Sequence, residues 1–324
     1  MKRTDELLSS FNNSWKAFSD AWKKARAKAS EKSVHDLRVS TRRLIATLEL
    51  VHVLSRRADI RRLQRRVKKL LKRMGPLRDV QVQLEGVSHI PQAGIVGEFK
   101  RRLKRRERDA IENVQGELKR STKQRLADAF EDVRSEFSRL HDSMSDETIR
   151  RSVEKSLSLR KNEFLKAQRH FHRAQPPNDE ALHEMRIALK KLRYVVEAAQ
   201  PLLGPGAKAR AREMHKFQQL MGDTRDVEIL RDALEKWAKK KGKKIAVVPT
   251  LERLQDKRES LLKKLVASSD QLERIFEEKA PKPVESHFRS LTVTDVVPLD
   301  EEDHHLGDVG GVVTDSFEVT RNKH

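Results

Sequence analysis

Apolar residues recur at intervals of three and four along most of residues 1–280, which is the period of an α-helix. Phe11, Trp15, Phe18 and Trp22 form one such stripe. Val34, Leu37, Thr41, Leu44, Leu48 and Val51 form a second, and Ile60, Leu63, Val67, Leu70 and Met74 a third. Leu182, Met185, Leu189, Leu192, Val196 and Ala199 repeat the second stripe later in the chain. Phe99, Leu103 and Ile111 support one long helix from about Gly94 to Leu140. Breaks are expected at Gly75-Pro76, Gly86 to Gly94, Ala174 to Asp179, Pro201 to Gly206 and Lys241 to Pro249. No window before Pro281 sustains the period-two alternation of a strand. The pattern predicts an all-α architecture of long packed helices.

The helical region contains a repeat. His35-Asp36-Leu37-Arg38-Val39-Ser40-Thr41-Arg42-Arg43-Leu44 aligns with His183-Glu184-Met185-Arg186-Ile187-Ala188-Leu189-Lys190-Lys191-Leu192 at an offset of 148. Met74-Gly75-Pro76-Leu77-Arg78-Asp79-Val80 aligns with Met221-Gly222-Asp223-Thr224-Arg225-Asp226-Val227 at an offset of 147. Two blocks at nearly one offset indicate a duplicated helical unit, about 1–141 and 142–280, with pseudo-twofold symmetry between the copies.

Charge then sharpens the picture. The chain of 324 residues holds 70 Lys and Arg against 49 Asp and Glu, a net charge of +21. The segment from Pro281 to the end has nine acids and four bases, so it carries −5 and residues 1–280 carry +26. Residues 281–324 read as an acidic, disordered tail with a β-prone piece near Leu291–Val297. Two roles stay open for it: a passive tail, or a segment that folds back and competes with a ligand. With no cysteine there is no disulfide, thiolate metal site or Cys nucleophile. The opening residues lead into no uninterrupted apolar run, and no stretch approaches the roughly 18 residues of a membrane span. The expectation is a soluble cytoplasmic protein with an anionic partner.

The cations are arranged. At 100° per residue, His35, Arg38 and Arg42 lie within about 60° of one another, opposite the apolar stripe, with Arg43 about 80° from His35. His183, Arg186, Lys190 and Arg193 repeat the ladder, and Lys191 takes the place of Arg43. On the following helix Arg61, Arg65, Lys68 and Lys72 share a face; the matching face holds Lys208, Arg212, His215 and Gln219, with Lys216 beside it. Arg78 and Arg225 follow the glycine expected to end each helix. A solvated helix face normally interleaves both signs, whereas these faces are nearly all positive. Ser33 with Asp36 resembles a capping box, and Pro177-Asn178-Asp179 precedes the second ladder, so both histidines are expected near a helix N-terminus. Among so many cations a neutral imidazole is expected for His35 and His183. Asp79 and Asp226 would orient Arg or His side chains, or form plain salt bridges.

Such ladders suit a linear polyanion better than one small ligand. Catalytic signatures are missing from the chain: no Gly-rich phosphate loop, no Gly-x-Gly-x-x-Gly, no His-Glu-x-x-His and no alternating Glu-x-Glu-x-Lys. Asp303-His304-His305 is the nearest approach to a metal site. No cofactor and no enzymatic activity are expected. The alternatives are a binder of nucleic-acid backbones, a phosphatase using His35 or His183, and a protein-binding scaffold. Aromatic residues are only 5% and mostly apolar-stripe positions, which disfavours base stacking.

The two motifs, Val34 to Leu44 and Leu182 to Tyr194, together with the Arg78-Asp79-Val80 and Arg225-Asp226-Val227 blocks, resemble the CHAD family, the conserved histidine α-helical domain. The resemblance covers about residues 1–280. It implies two pseudo-twofold-related antiparallel four-helix bundles around a basic central channel. It also implies binding of inorganic polyphosphate without catalysis, with targeting to polyphosphate granules and recruitment of polyphosphate-metabolising enzymes as further expectations. Here Lys190 and Lys191 replace an Arg pair, Gln219 thins the second ladder, and the acidic tail has no counterpart in the family pattern.

Overall fold

The computed structural model describes residues 2–91, 94–120, 123–174, 178–204 and 206–277. The acidic segment with its β-prone piece and the Asp303-His304-His305 run lies outside them. The described residues form eleven α-helices and no strand: α1 (Arg3–Ala27), α2 (Glu31–Ser55), α3 (Ala58–Arg73), α4 (Gly75–Ser88), α5 (Gly94–Arg120), α6 (Lys123–Ser143), α7 (Asp146–Arg173), α8 (Asp179–Ala198), α9 (Gln200–Leu203), α10 (Gly206–Lys240) and α11 (Lys244–Glu277).

The apolar stripes are the buried faces of these helices. Leu37, Leu44 and Leu48 of α2, Leu63 and Val67 of α3, and Met185 and Leu189 of α8 are all fully excluded from water. Two local expectations change. First, α2 is capped by Ser30, whose Oγ accepts from the Ser33 N–H at 3.2 Å. Ser33 sits inside the first turn and spends its hydroxyl on the Lys28 carbonyl at 2.6 Å, so it is no N-cap. Second, Gly222 ends nothing: α10 runs unbroken from Gly206 to Lys240. In the first copy Pro76 has no N–H to return to Lys72, and the chain divides into α3 and α4; Asp223 at the matching position keeps its N–H. The helix after Lys243 likewise passes through Pro249. The described parts of the stretch expected to be helical from Gly94 to Leu140 are helical, as α5 and α6.

The duplication is visible in the packing. α1 lies on α2 as α7 lies on α8; α2 lies on α3 as α8 lies on α10; α4 lies on α5 as α10 lies on α11. Two further contacts, α2 with α8 and α4 with α10, join equivalent elements of the two copies. Contacts between equivalents are what a pseudo-twofold axis requires, so the axis passes through both. At the second, α4 and α10 come so close that a Cβ on Gly86 would stand 2.8 Å from Leu230 Cδ2.

Three apolar cores fill the unit. One gathers α1, α2, α3, α6 and the ends of α5, α7 and α8 around Phe11, Trp22, Leu44 and Phe137. A second joins α7, α8 and the first half of α10 around Phe164, Met185 and Met214. The third is built by both copies: Val80 and Val87 of α4 and Phe99 and Leu103 of α5 meet Leu230, Leu234 and Trp237 of α10 and Val247 and Leu254 of α11. A buried ionic clamp supports it. Glu228, 1% exposed, accepts from Arg258 Nε of α11 at 2.9 Å and from Arg225 at 3.1 Å. Arg258 also pairs with Asp179, the first residue of α8.

Candidate functional site

The basic faces are presented chiefly by α2 and α8, the helices that meet at the axis. His35 is the fifth residue of α2 and His183 the fifth of α8, whose N-cap Asn178 accepts from the Ala181 N–H at 2.7 Å. Both histidines therefore lie near the helix N-terminus, one turn inside and just beyond the free N–H groups. Their equivalence in the two copies is retained.

Around His35 the charged neighbours are Arg78, Asp36, Arg42 and Arg38. Loss of water around the ring lowers the His35 pKa, Arg78, Arg42 and Arg38 lower it further, and Asp36 opposes them. The shift favours the neutral imidazole, the direction expected among these cations. Arg78 reaches from α4 toward the second copy, where Asp226 feels both Arg78 and Arg186. Burial pushes the Asp226 carboxyl up to about 6, against the pull of the two guanidiniums and with help from Asp223 and Glu85. Arg38, Arg42 and Arg78 are thus electrostatic neighbours of His35, and Arg78 and Arg186, from the two copies, both act on Asp226.

A second cluster lies where α2 meets α8. Arg43 Nε donates to Glu197 Oε2 at 3.1 Å. Arg193 pairs with the other oxygen of Glu197, donates to Gln218 at 2.8 Å and lies over the Tyr194 ring at 4.3 Å. His215 of α10 sits beside these groups; burial, then Arg193, lowers its pKa.

The predicted residues divide by how they are held. Arg38, 6% exposed, donates to the Leu71 carbonyl at 3.2 Å, so it closes the last turn of α3. Arg193, 5% exposed, is enclosed by Glu197, Gln218 and Tyr194 and is not the open rung of the second ladder expected from sequence. Eleven residues after Leu182, it stands about 20° from that stripe residue, at the margin of the apolar face, where groups of its own copy enclose it. Arg78 also pairs with Glu31 at 3.2 Å, and Arg225 is engaged by Glu228. Arg42, Lys190 and Arg186 are half-buried, while Lys191 is exposed. On α3, Arg61 donates to His52 at 2.6 Å, Lys68 is half-buried, and Arg65 and Lys72 are exposed. On α10, Lys208 and Arg212 are exposed and Lys216 pairs with Glu213 at 2.8 Å. Arg65, Lys72, Lys208 and Arg212 have no ion pair among the described residues.

Sequence reasoning missed Glu197 and the Asp179–Glu228–Arg258 clamp. Glu197 carried a local signal, since it follows Arg193 by four residues on one helix face. Among the described residues no group of three or more His, Asp or Glu is placed to hold a metal. No described helix is long and apolar enough to cross a membrane.

The family model of the CHAD domain matches residues 10–235. The chain is similar to the crystal structure of the CHAD domain from the plant Ricinus communis, with a TM-score of 0.64. Sequence identity is 18%, and the match covers 86% of this chain and 93% of that one. At that identity the likeness concerns the fold. No curated protein matches the chain.

Proposed function

The chain belongs to the CHAD family, and on that premise we propose that it binds inorganic polyphosphate through its paired cationic ladders without performing chemistry on it. The observation that supports this reading is that Arg78, an electrostatic neighbour of His35, acts on Asp226 together with Arg186 of the other copy. A polyphosphate chain offers only charge and oxygen acceptors at a regular spacing. Successive rungs on α2 and α8 stand about 5.4 Å apart, a turn per rung, so neighbouring turns can meet about every second phosphate of an extended chain. Arg42, Arg43, Arg78, Arg186, Lys190, Lys191 and Arg225 contact the chain, with Arg61, Arg65, Lys68, Lys72, Lys208, Arg212 and Lys216 extending the track. Arg38 and Arg193 act from behind, through charge and by holding the helices that carry the others. The imidazoles of His35 and His183 each donate one hydrogen bond to a phosphate oxygen. Such a module would carry the protein to polyphosphate granules.

The test is titration of the full chain with long-chain polyphosphate, and with DNA and RNA of matched charge, at physiological salt. Tight binding to polyphosphate with much weaker binding of both nucleic acids is expected. Equal binding of all three would replace this reading with a general basic surface.

A further inference from the structure

A second basic surface lies at the corner between α10 and α11, apart from the ladders. Its shape is set by the end of α10. Gly242 adopts φ +66°, the Gly242 N–H bonds to the Lys239 carbonyl at 3.2 Å, and the Lys243 N–H bonds to the Ala238 carbonyl at 2.9 Å. This is a Schellman closure with glycine at the left-handed position, so the corner is a defined turn. It displays Lys239, Lys240, Lys241, Lys243 and Lys244, all exposed.

α5 extends the patch. Arg101, Arg102 and Arg105 line a pocket of about 190 Å³ with Glu98, Trp237 and Lys241. Lys243 bridges to Glu98 at 3.0 Å and ties the corner to α5. Arg101, Arg102 and Arg105 are exposed and have no ion pair among the described residues.

The corner has a third property that the ladders lack. Val247 is buried in the core, which turns its neighbours outward. Ile245 is 88% exposed and Val248 43% exposed. They are three residues apart on one face of the first turns of α11. Exposed large apolar side chains beside a lysine cluster have no use on a phosphate backbone. Trp237, 6% exposed, offers no stacking platform for a base. Apolar tips within a ring of cations suit a bilayer of anionic lipids, where the cations meet headgroups and the tips enter the acyl boundary.

We infer that the α10–α11 corner, with Arg101, Arg102 and Arg105, docks peripherally on anionic membranes, with Ile245 and Val248 inserted at the interface. The test is co-sedimentation of the full chain with mixed phosphatidylcholine–phosphatidylserine vesicles and with phosphatidylcholine alone. Binding to the mixed vesicles only is expected. Ile245→Ser is expected to weaken it about fivefold. Lys241→Ser with Lys244→Ser is expected to weaken it about thirtyfold, near fivefold per charge. Arg42→Ala with Lys190→Ala, in the ladders, is expected to leave it unchanged. Failure of the wild-type chain to bind mixed vesicles would overturn the inference. So would loss of binding in the ladder variant with retention in the corner variants. Ile245→Ser without effect, with the lysine pair losing vesicles and duplex RNA alike, would make the corner a general polyanion surface and overturn the lipid assignment.

Discussion

Arg43 of the first copy and Glu197 of the second share a hydrogen-bonded ion pair at 3.1 Å, and this pair crosses the pseudo-twofold axis between α2 and α8. Glu197 also neutralises Arg193, whose side chain is 6% exposed, whereas that of Arg43 is 51% exposed. The two arginines therefore respond differently to losing their partner. Glu197→Ala strands a buried guanidinium and is expected to cost about 3 kcal/mol. Arg43→Ala removes an open partner and is expected to cost less than about 1 kcal/mol. Urea unfolding of both variants checks this; equal losses would mean that Arg193 finds other compensation.

Arg38 and Arg42 stand on the same face of α2 but do different work. Arg38 donates to the Leu71 carbonyl from a buried position, so Arg38→Ala is expected to lose about 2 kcal/mol of stability. Arg42 is half-buried, and Arg42→Ala is expected to change stability by less than about 0.5 kcal/mol while weakening polyphosphate binding about tenfold. Unfolding curves and calorimetric titration of the two variants separate the effects. An Arg42→Ala protein that binds normally would remove Arg42 from the track.

Asp226 carries a sign that can be worked out. Its folded pKa of about 6 stands above the ordinary carboxylate value of 3.8, so the protonated form is favoured in the fold. The stability this confers is complete below pH 3.8 and is lost as pH rises through 6. Asp226→Asn is therefore expected to be the more stable protein by about 1–3 kcal/mol at pH 8, with the advantage shrinking toward pH 4. Denaturation at several pH values reads the slope directly. An advantage that stays flat with pH would mean that Asp226 is not the titrating group.

The same charges set how binding responds to solution conditions. Asp226, with its pKa raised to about 6, makes the cluster more positive as pH falls from 8 to 5. Polyphosphate affinity is expected to rise over that interval, and to rise less in Asp226→Asn. His35→Ala at pH 8 is expected to weaken binding less than Arg42→Ala with Arg78→Ala.

Salt supplies an independent check. Each phosphate neutralised by Lys or Arg releases a counterion, so log affinity is expected to fall linearly and steeply with log salt. A shallow slope would mean that few of the ladder cations touch the chain.

Much of this architecture can be read along the chain. The stripes of α2, α3 and α8 name their buried residues almost without error, because a helix that packs on a core must repeat its apolar positions every three or four residues. The two aligned motifs announce the duplication, and the helical contacts repeat it pair by pair. Local choices were less legible. Ser30 and Ser33 are equally good caps by composition, and the route of the Lys28–Ser30 segment chooses between them. Pro76 marks a break that its partner Asp223 does not share.

The ladders show the same division. Helical phase places Arg42 away from its own helix's core and Arg193 at the margin of its stripe, and that much is a property of the sequence. Whether either meets water or another buried group depends on the helices that pack beside it. Arg193 is enclosed because Gln218 of α10 and Glu197 converge on it; Arg78 joins the second copy because α4 packs on α10. Periodicity encodes which side of a helix is dry. The neighbour that covers its polar side is selected by packing summed over both repeats, and no single window of sequence contains that sum.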